Sequence, residues 1–533
     1  MSISRSLTSL LLLCLLVLAP MAQAQSTDSE ATALLQALAE ASYAQKKDVI
    51  AEIAGSGDER ARGWLDAFAN GKLSRIEDSG QFVIVLSNRG RNWTVADALS
   101  GESLGEVSRR DLDTIRVNNA LRNELDGILS VIDLTVANPD TRLAAARDLR
   151  GEVDGPLAER IEGLLQTEAN SDVRAALAEA LAIHQVGQGD VAAVAVLDGS
   201  LNAQARVALN AAAGSDNPEL AAAAAKALKG VETKLKLNDV AETLYFGLSL
   251  GSVLVLAAIG LAITFGVMGV INMAHGELIM LGAYTTWGMQ QLLPGQPGLA
   301  LILSIPAGFL VAALAGIAIE RTVIQHLKGR PLETLLATFG VSLMLQQLVR
   351  TVISPLNRTV VTPDWMSGSL MINEALSLTL NRLYVIGFAL VVFAGLMLIM
   401  RRTRLGLDVR AVTQNRAMAR SMGIKATKVD ILTFGLGSGV AGLAGVALSQ
   451  ITNVGPNLGQ SYIIDSFMVV VFGGVGNLWG TLVAGLSLGT INQILEPWAG
   501  AVLAKIVVLV FIILFIQKRP RGLFPQKGRA AEG

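Results

Sequence analysis

Leu244-Tyr245-Phe246-Gly247-Leu248-Ser249-Leu250-Gly251-Ser252-Val253-Leu254-Val255-Leu256-Ala257-Ala258-Ile259-Gly260-Leu261-Ala262-Ile263-Thr264-Phe265-Gly266-Val267-Met268-Gly269-Val270 contains no charged side chain. As a helix this run is long enough to cross a hydrocarbon core of about 30 Å. Further apolar segments follow at 277–292, 299–321, 333–354, 382–400, 430–451, 462–476, 480–495 and 499–517. The segments 462–476 and 480–495 are short and Gly-rich, and read as broken or re-entrant. Gly435/Gly439, Gly476/Gly480 and Gly485/Gly489 are small-residue pairs at the spacing that lets helix backbones approach closely.

The chain upstream has a different composition. Gln25 to Val240 holds 22 Lys and Arg against 33 Asp and Glu, whereas Ala241 to Gly533 holds 20 against 11. Hydrophobic residues make up 52% of the 533 residues, and the mean hydropathy is +0.49. An acidic half followed by a basic, apolar half predicts a soluble domain followed by a membrane domain. Arg5, the apolar stretch Leu10 to Ala19 and the small residues Ala22-Gln23-Ala24 read as a signal peptide over 1–24, or as an uncleaved signal anchor. Either places Gln25 outside the cytoplasm. Cys14, the single cysteine, lies inside this segment, so a chain cleaved after Ala24 would have no thiol for a disulfide, a metal or nucleophilic catalysis.

Residues 25–238 are rich in Ala and Leu, with apolar side chains at helical spacing. Asp140-Thr141-Arg142-Leu143-Ala144-Ala145-Ala146 resembles Asp172-Val173-Arg174-Ala175-Ala176-Leu177-Ala178, and a looser copy starts near Ala203. That period predicts helix pairs stacked as a HEAT-like solenoid, with an irregular helical bundle as the alternative. Gln81 to Leu86, followed by Asn88-Arg89-Gly90, predicts a strand and turn among the helices. His184 reads as structural, and neither a metal nor a catalytic cluster is apparent.

Basic residues orient the membrane domain. The connection 401–428 carries Arg401, Arg402, Arg404, Arg410, Arg416, Arg420, Lys425 and Lys428 against Asp408 alone. It should be cytoplasmic, together with the loop bearing His326, Lys328 and Arg330 and the tail Lys518-Arg519-Pro520-Arg521. Nine spans starting outside put all three inside.

Polar groups within apolar segments are the candidates for a solute path. Asn272, His275 and Glu277 lie between the first two segments. They could line or gate a path, or serve as a capped turn in which Asn272 ends one helix and Glu277 starts the next. Gln346 and Gln347 could hydrogen-bond a neutral polar solute or join helices. Asp465 could face the path or cap its own helix. In the basic connection, Val409 to Ile424 predicts one amphipathic helix ended by Gly423. Ala411, Asn415, Met418 and Met422 share a face of it. Such a helix docks in a groove on a partner, or is a solvated basic loop. The sequence contains no GxxxxGK[ST] motif, so nucleotide energy would come from another subunit.

The order of these segments carries a family resemblance. Gly260 to Glu277, Arg404-Leu405-Gly406 with Met422-Gly423-Ile424, Leu432-Thr433-Phe434-Gly435 with Ala441-Gly442-Leu443-Ala444-Gly445, Val469 to Asn477, and Arg519-Pro520-Arg521-Gly522-Leu523-Phe524 resemble the branched-chain amino-acid (LivH-type) ABC permeases in the same order. The resemblance implies that the helix with Arg410, Asn415, Ala417, Ala419 and Gly423 contacts an ATPase. It also implies a second permease subunit, two ATPase subunits and a periplasmic substrate-binding protein as partners. The long exported domain departs from the amino-acid permeases and resembles the urea-transport (UrtB-type) branch.

The expected fold is therefore all-α: a polytopic membrane bundle over 239–533 after a signal peptide and an exported, HEAT-like helical domain. The expected function is that of a urea permease subunit in the bacterial inner membrane, in contact with lipid, with a periplasmic N-terminal domain and a cytoplasmic C-terminus. No enzymatic activity, cofactor, metal or nucleic acid is implied. The alternatives are a branched-chain amino acid permease, a secondary transporter or channel with an external helical domain, and a membrane-anchored scaffold. Sparse ionisable residues within the membrane disfavour ion-coupled transport, and a bundle of this size is excessive for an anchor.

Overall fold

The computed structural model describes residues 28–524, apart from Gly57, Glu59, Arg89 and Arg91 and the side chains of Asn123 and Glu124. The expected signal peptide lies outside the described residues. The chain divides into two compact units, with the boundary between Lys234 and Leu235.

In the first unit, helices α1 (28–40), α2 (Lys46–Gly55) and α3 (Ala61–Ala69) precede a five-stranded antiparallel sheet. Its strands are β1 (Leu73–Ile76), β2 (Phe82–Ser87), β3 (Asn92–Asp97), β4 (Ser103–Ser108) and β5 (Leu112–Thr114), in the order β4-β3-β2-β1-β5. The fold is thus mostly helical, and the expectation of an all-α chain is corrected. Val83, Val85 and Val95 are β-branched residues buried on one sheet. The single strand and turn read from the sequence is one member of this larger sheet. Trp64, Leu65 and Phe68 of α3 are buried in the adjoining core, and Trp64 Nε1 donates to the Ala98 carbonyl at 2.6 Å. Burying a large apolar side chain of this kind contributes about 1.5–3 kcal/mol.

Helix α4 (Asn119–Asp133) leads into α5 (Pro139–Asp148), α6 (Gly155–Thr167), α7 (Ser171–Gly187), α8 (Val194–Leu197) and α9 (Ala203–Ala213). The starts of α5, α7 and α9 are 32 residues apart, and each is capped by an asparagine. Asn138, Asn170 and Asn202 accept from the backbone N–H of Asp140, Asp172 and Gln204 at 2.9, 2.9 and 2.7 Å. Repetition of the cap fixes where each helix begins.

Helix α10 (Pro218–Met268) contains the boundary between the units. The second unit continues with α11 (His275–Leu292), α12 (Pro297–Thr322) and α13 (Pro331–Val352). A hairpin, β6 (Ser369–Asn373) and β7 (Leu376–Thr379), then precedes α14 (Leu380–Arg402). Two short helices follow, α15 (Arg404–Gln414) and α16 (Arg416–Ser421), then α17 (Ala426–Leu448), α18 (Leu458–Gly473) and α19 (Leu478–Lys518). Six of the described helices, α10, α12, α13, α14, α17 and α19, are long and apolar enough to cross a membrane. Helix α19 is broken at Gly500, whose φ is 75°.

Helix α17 is central, buried at nearly every position from Thr433 to Leu448 and packed against α11 and α12. Association of helices in lipid depends on close packing of small residues. A Cβ on Gly282 would collide with the backbone of Gly442, and one on Gly489 with the backbone of Gly251. The Gly485/Gly489 pair therefore seats α19 on α10.

Candidate functional site

The turn between α10 and α11 presents three buried polar residues. Asn272 and Glu277 are each 1% exposed, and His275 is fully buried. Asn272 Oδ1 accepts from the Ala274 N–H at 3.0 Å, and the neighbouring Met273 N–H donates to Thr338 Oγ1 at 3.1 Å. His275 Nε2 lies 3.0 Å from the Ala257 carbonyl of α10. Glu277 instead reaches across to α13, where its Oε1 accepts from Ser342 Oγ at 2.9 Å and from Gln346 Nε2 at 2.7 Å. Asn272 thus shapes the turn, while Glu277 cross-links two helices. Asn272 Nδ2, His275 Nδ1 and Glu277 Oε2 have no hydrogen-bond partner among the described residues. Buried polar atoms of this kind are costly unless something satisfies them.

The other candidates separate. Gln347 is exposed and reaches Thr351 Oγ1 at 3.5 Å on its own helix, on a different face from Gln346. Asp465 of α18 instead lines a cavity between α10, α18 and α19, and is paired with Lys505 Nζ at 2.9 Å. The structure therefore brings Glu277 and Gln346 together and sets Gln347 and Asp465 apart.

The basic connection is two helices rather than one, which corrects the reading of 409–424. Asn415 has φ −156° and ψ 101°, ending α15 and starting α16. Its side chain accepts from the Met418 N–H at 2.9 Å. The N-cap preference of asparagine outweighs continuation of the helix here. Val409, Val412 and Ala419 turn inward with Ala426 and Val429, whereas Leu407, Met418 and Met422 are exposed. Ala417 and Gly423 lie on the exposed side, and Gly423 has φ 89°. Arg410 Nη1 donates to the Met400 carbonyl at 2.5 Å.

Behind α16 lies a charge cluster that the sequence reading missed. Glu320 at the end of α12 and Asp430 at the start of α17 are fully buried. Lys328 Nζ bridges them, 3.0 Å from Glu320 Oε1 and 2.8 Å from Asp430 Oδ2. Arg416 of α16 pairs with the same Asp430 oxygen. Breaking a buried pair leaves an uncompensated charge, so these residues hold the basic connection to the ends of α12 and α17. The available signal was the presence of Glu320 and Asp430 at the edges of apolar segments. Ser342 and Lys505 were missed as well, the latter despite standing in an apolar run.

The family described as "Branched-chain amino acid transport system / permease component" matches residues 243–516. The chain is 29% identical over 287 residues to the high-affinity branched-chain amino acid transport system permease protein BraD of Pseudomonas aeruginosa. That alignment covers 52% of this chain and 93% of the relative. Identity is 28% over 292 residues to the corresponding LivH proteins of Salmonella typhimurium and Escherichia coli, covering 53% of this chain and 94% of each relative. These relatives are transport permeases, not enzymes. No solved structure matches the chain.

Proposed function

The chain belongs to the branched-chain amino acid transport system permease family, and on that premise we propose that it is the membrane permease subunit of an ATP-driven importer of branched-chain amino acids. The urea reading rested on the long N-terminal domain. The named relatives are amino-acid permeases and favour the alternative, so urea becomes the competing substrate.

The observation that carries this reading is the surface of α15 and α16. Leu407, Met418 and Met422 are 59%, 61% and 77% exposed, beside a charge cluster that anchors the same segment through Arg416. Exposed apolar side chains on a segment tied to a buried carboxylate suit docking of a rigid partner. The partner is an ATPase subunit, with Ala417, Gly423 and Arg410 at the contact. Movement of that partner would be passed through Arg416, Asp430, Lys328 and Glu320 to α12 and α17. The solute path uses Asn272, His275, Glu277, Ser342 and Gln346. A second permease subunit, a second ATPase and a periplasmic binding protein complete the importer. In this reading the first unit, including its 32-residue helical repeat, is exported as a HEAT-like domain. The basic connections and the C-terminus face the cytoplasm of the inner membrane.

The test is affinity purification of this chain from membranes that also express its candidate ATPase subunits. Retention of the ATPases is expected, and their absence from intact, monodisperse permease would sink the docking assignment.

A further inference from the structure

One cavity of the membrane unit has polar groups that the proposed path does not use. It lies between α10, α18 and the break in α19. Asp465, Asn492, Glu496 and Lys505 are among its polar lining residues, and Leu250, Leu254 and Ala504 among its apolar ones. Asp465 and Asn492 are 6% and 7% exposed. Asp465 is paired with Lys505 at 2.9 Å, while Asn492 Oδ1 has no hydrogen-bond partner among the described residues.

The backbone beside this cavity points the same way. Gly500, with φ 75° and ψ 159°, breaks α19 between Asn492 and Lys505, and Pro497 supplies no N–H to the turn before it. Gly500 itself is exposed, and Ala501, Ala504 and Lys505 just after it line the cavity. Broken membrane helices recur beside solute sites in transporters.

We propose that this cavity is a binding subsite for a zwitterionic amino acid with an aliphatic side chain. This rests on the amino-acid reading above. The Lys505 ammonium takes the solute carboxylate, and Asp465 takes the solute ammonium with Asn492 Oδ1 as a second acceptor. Leu250, Leu254 and Ala504 contact the alkyl chain. Insertion of the zwitterion replaces one ion pair by two charge-assisted contacts and adds no net charge to the site. Urea carries neither charge and leaves the Asp465–Lys505 pair closed.

The experiment is equilibrium binding of labelled leucine to the assembled permease–ATPase complex in nanodiscs, without binding protein. The expected result is binding competed by isoleucine and valine, but not by 4-methylpentanoate, 3-methylbutylamine or urea. Lys505→Met and Asn492→Leu should each weaken it at least tenfold. Asn492→Leu leaves the Asp465–Lys505 pair in place, so it decides the matter if Lys505→Met fails to fold. Unchanged leucine binding by monodisperse Asn492→Leu would overturn the subsite and leave the amino-acid reading standing. Wild-type complex that binds urea and no leucine would overturn both.

Discussion

Lys328 and Asp430, 102 residues apart in sequence, form a 2.8 Å ion pair in which the carboxylate is fully buried. The same Asp430 oxygen takes the Arg416 guanidinium, so one carboxylate joins α16, α17 and the connection after α12. The energetics of this junction set the first prediction.

Asp430→Ala should destabilise the permease by about 1–3 kcal/mol, because it leaves the partly exposed Arg416 unpaired and Lys328 with Glu320 alone. Arg416→Ala removes a more exposed member and should affect stability less. Its expected signature is a transport rate at least tenfold lower with ATP hydrolysis retained. Thermal melting of the purified complex, read beside paired uptake and ATPase rates, checks both. Uptake that stays coupled in Arg416→Ala would contradict transmission through the cluster.

Ala417→Arg places a bulky cation on the exposed side of α16 without backbone strain. It should abolish retention of the ATPase subunits on affinity purification while leaving the melting temperature of the permease unchanged. Gly423→Arg is a weaker probe, because φ is 89° at that position. Any side chain there carries a backbone cost of about 1–2 kcal/mol. Gly423→Ala measures that cost alone, and should lower stability with only a modest effect on docking.

Gly282→Leu forces apart α11 and α17, whose backbones meet at Gly282 and Gly442. A loss of roughly 1–3 kcal/mol or more is expected from overpacking, seen as a lower melting temperature and lower yield of folded protein. Tolerance of leucine would show that these helices are not packed as described.

Acid should weaken the first unit through Glu168. The Arg142 guanidinium donates to both Glu168 oxygens at 2.8 and 2.9 Å, and this contact, with the Asn170 N–H, holds the Glu168 pKa below the usual glutamate value. A depressed folded-state pKa gives stability that is present above the unfolded value, about 4.3, and is lost as pH falls through the folded one. The difference in melting temperature between wild type and Glu168→Gln should therefore be constant above pH 6 and shrink below pH 4. A difference independent of pH would contradict the ion pair.

Much of this fold was legible because its signals are local. The uncharged run from Leu244 to Val270 marks itself as a membrane helix, and the similar segments after Asn138 and Asn170 show a periodicity set by repeated caps. The sheet was only glimpsed, because β1, β3, β4 and β5 mix polar and apolar residues and their identity depends on pairing across the sheet. The break at Asn415 was hidden by the helical spacing of Ala411, Met418 and Met422, although asparagine followed by the Met418 N–H is a capping signal. The Glu320–Lys328–Asp430–Arg416 cluster and the Asp465–Lys505 pair were illegible for a different reason. Each joins segments whose proximity exists only once the bundle is packed. Gln346 and Gln347, adjacent in sequence, could be told apart only by the face each presents.

The most direct measurement is uptake of labelled leucine and labelled urea by sealed vesicles containing the complete importer and its binding protein, with and without ATP on the ATPase side. The account predicts accumulation of leucine that requires ATP and is lost in Ala417→Arg, with no accumulation of urea. Uptake of urea alone, or uptake of leucine that proceeds without ATP or the ATPase subunits, would contradict it.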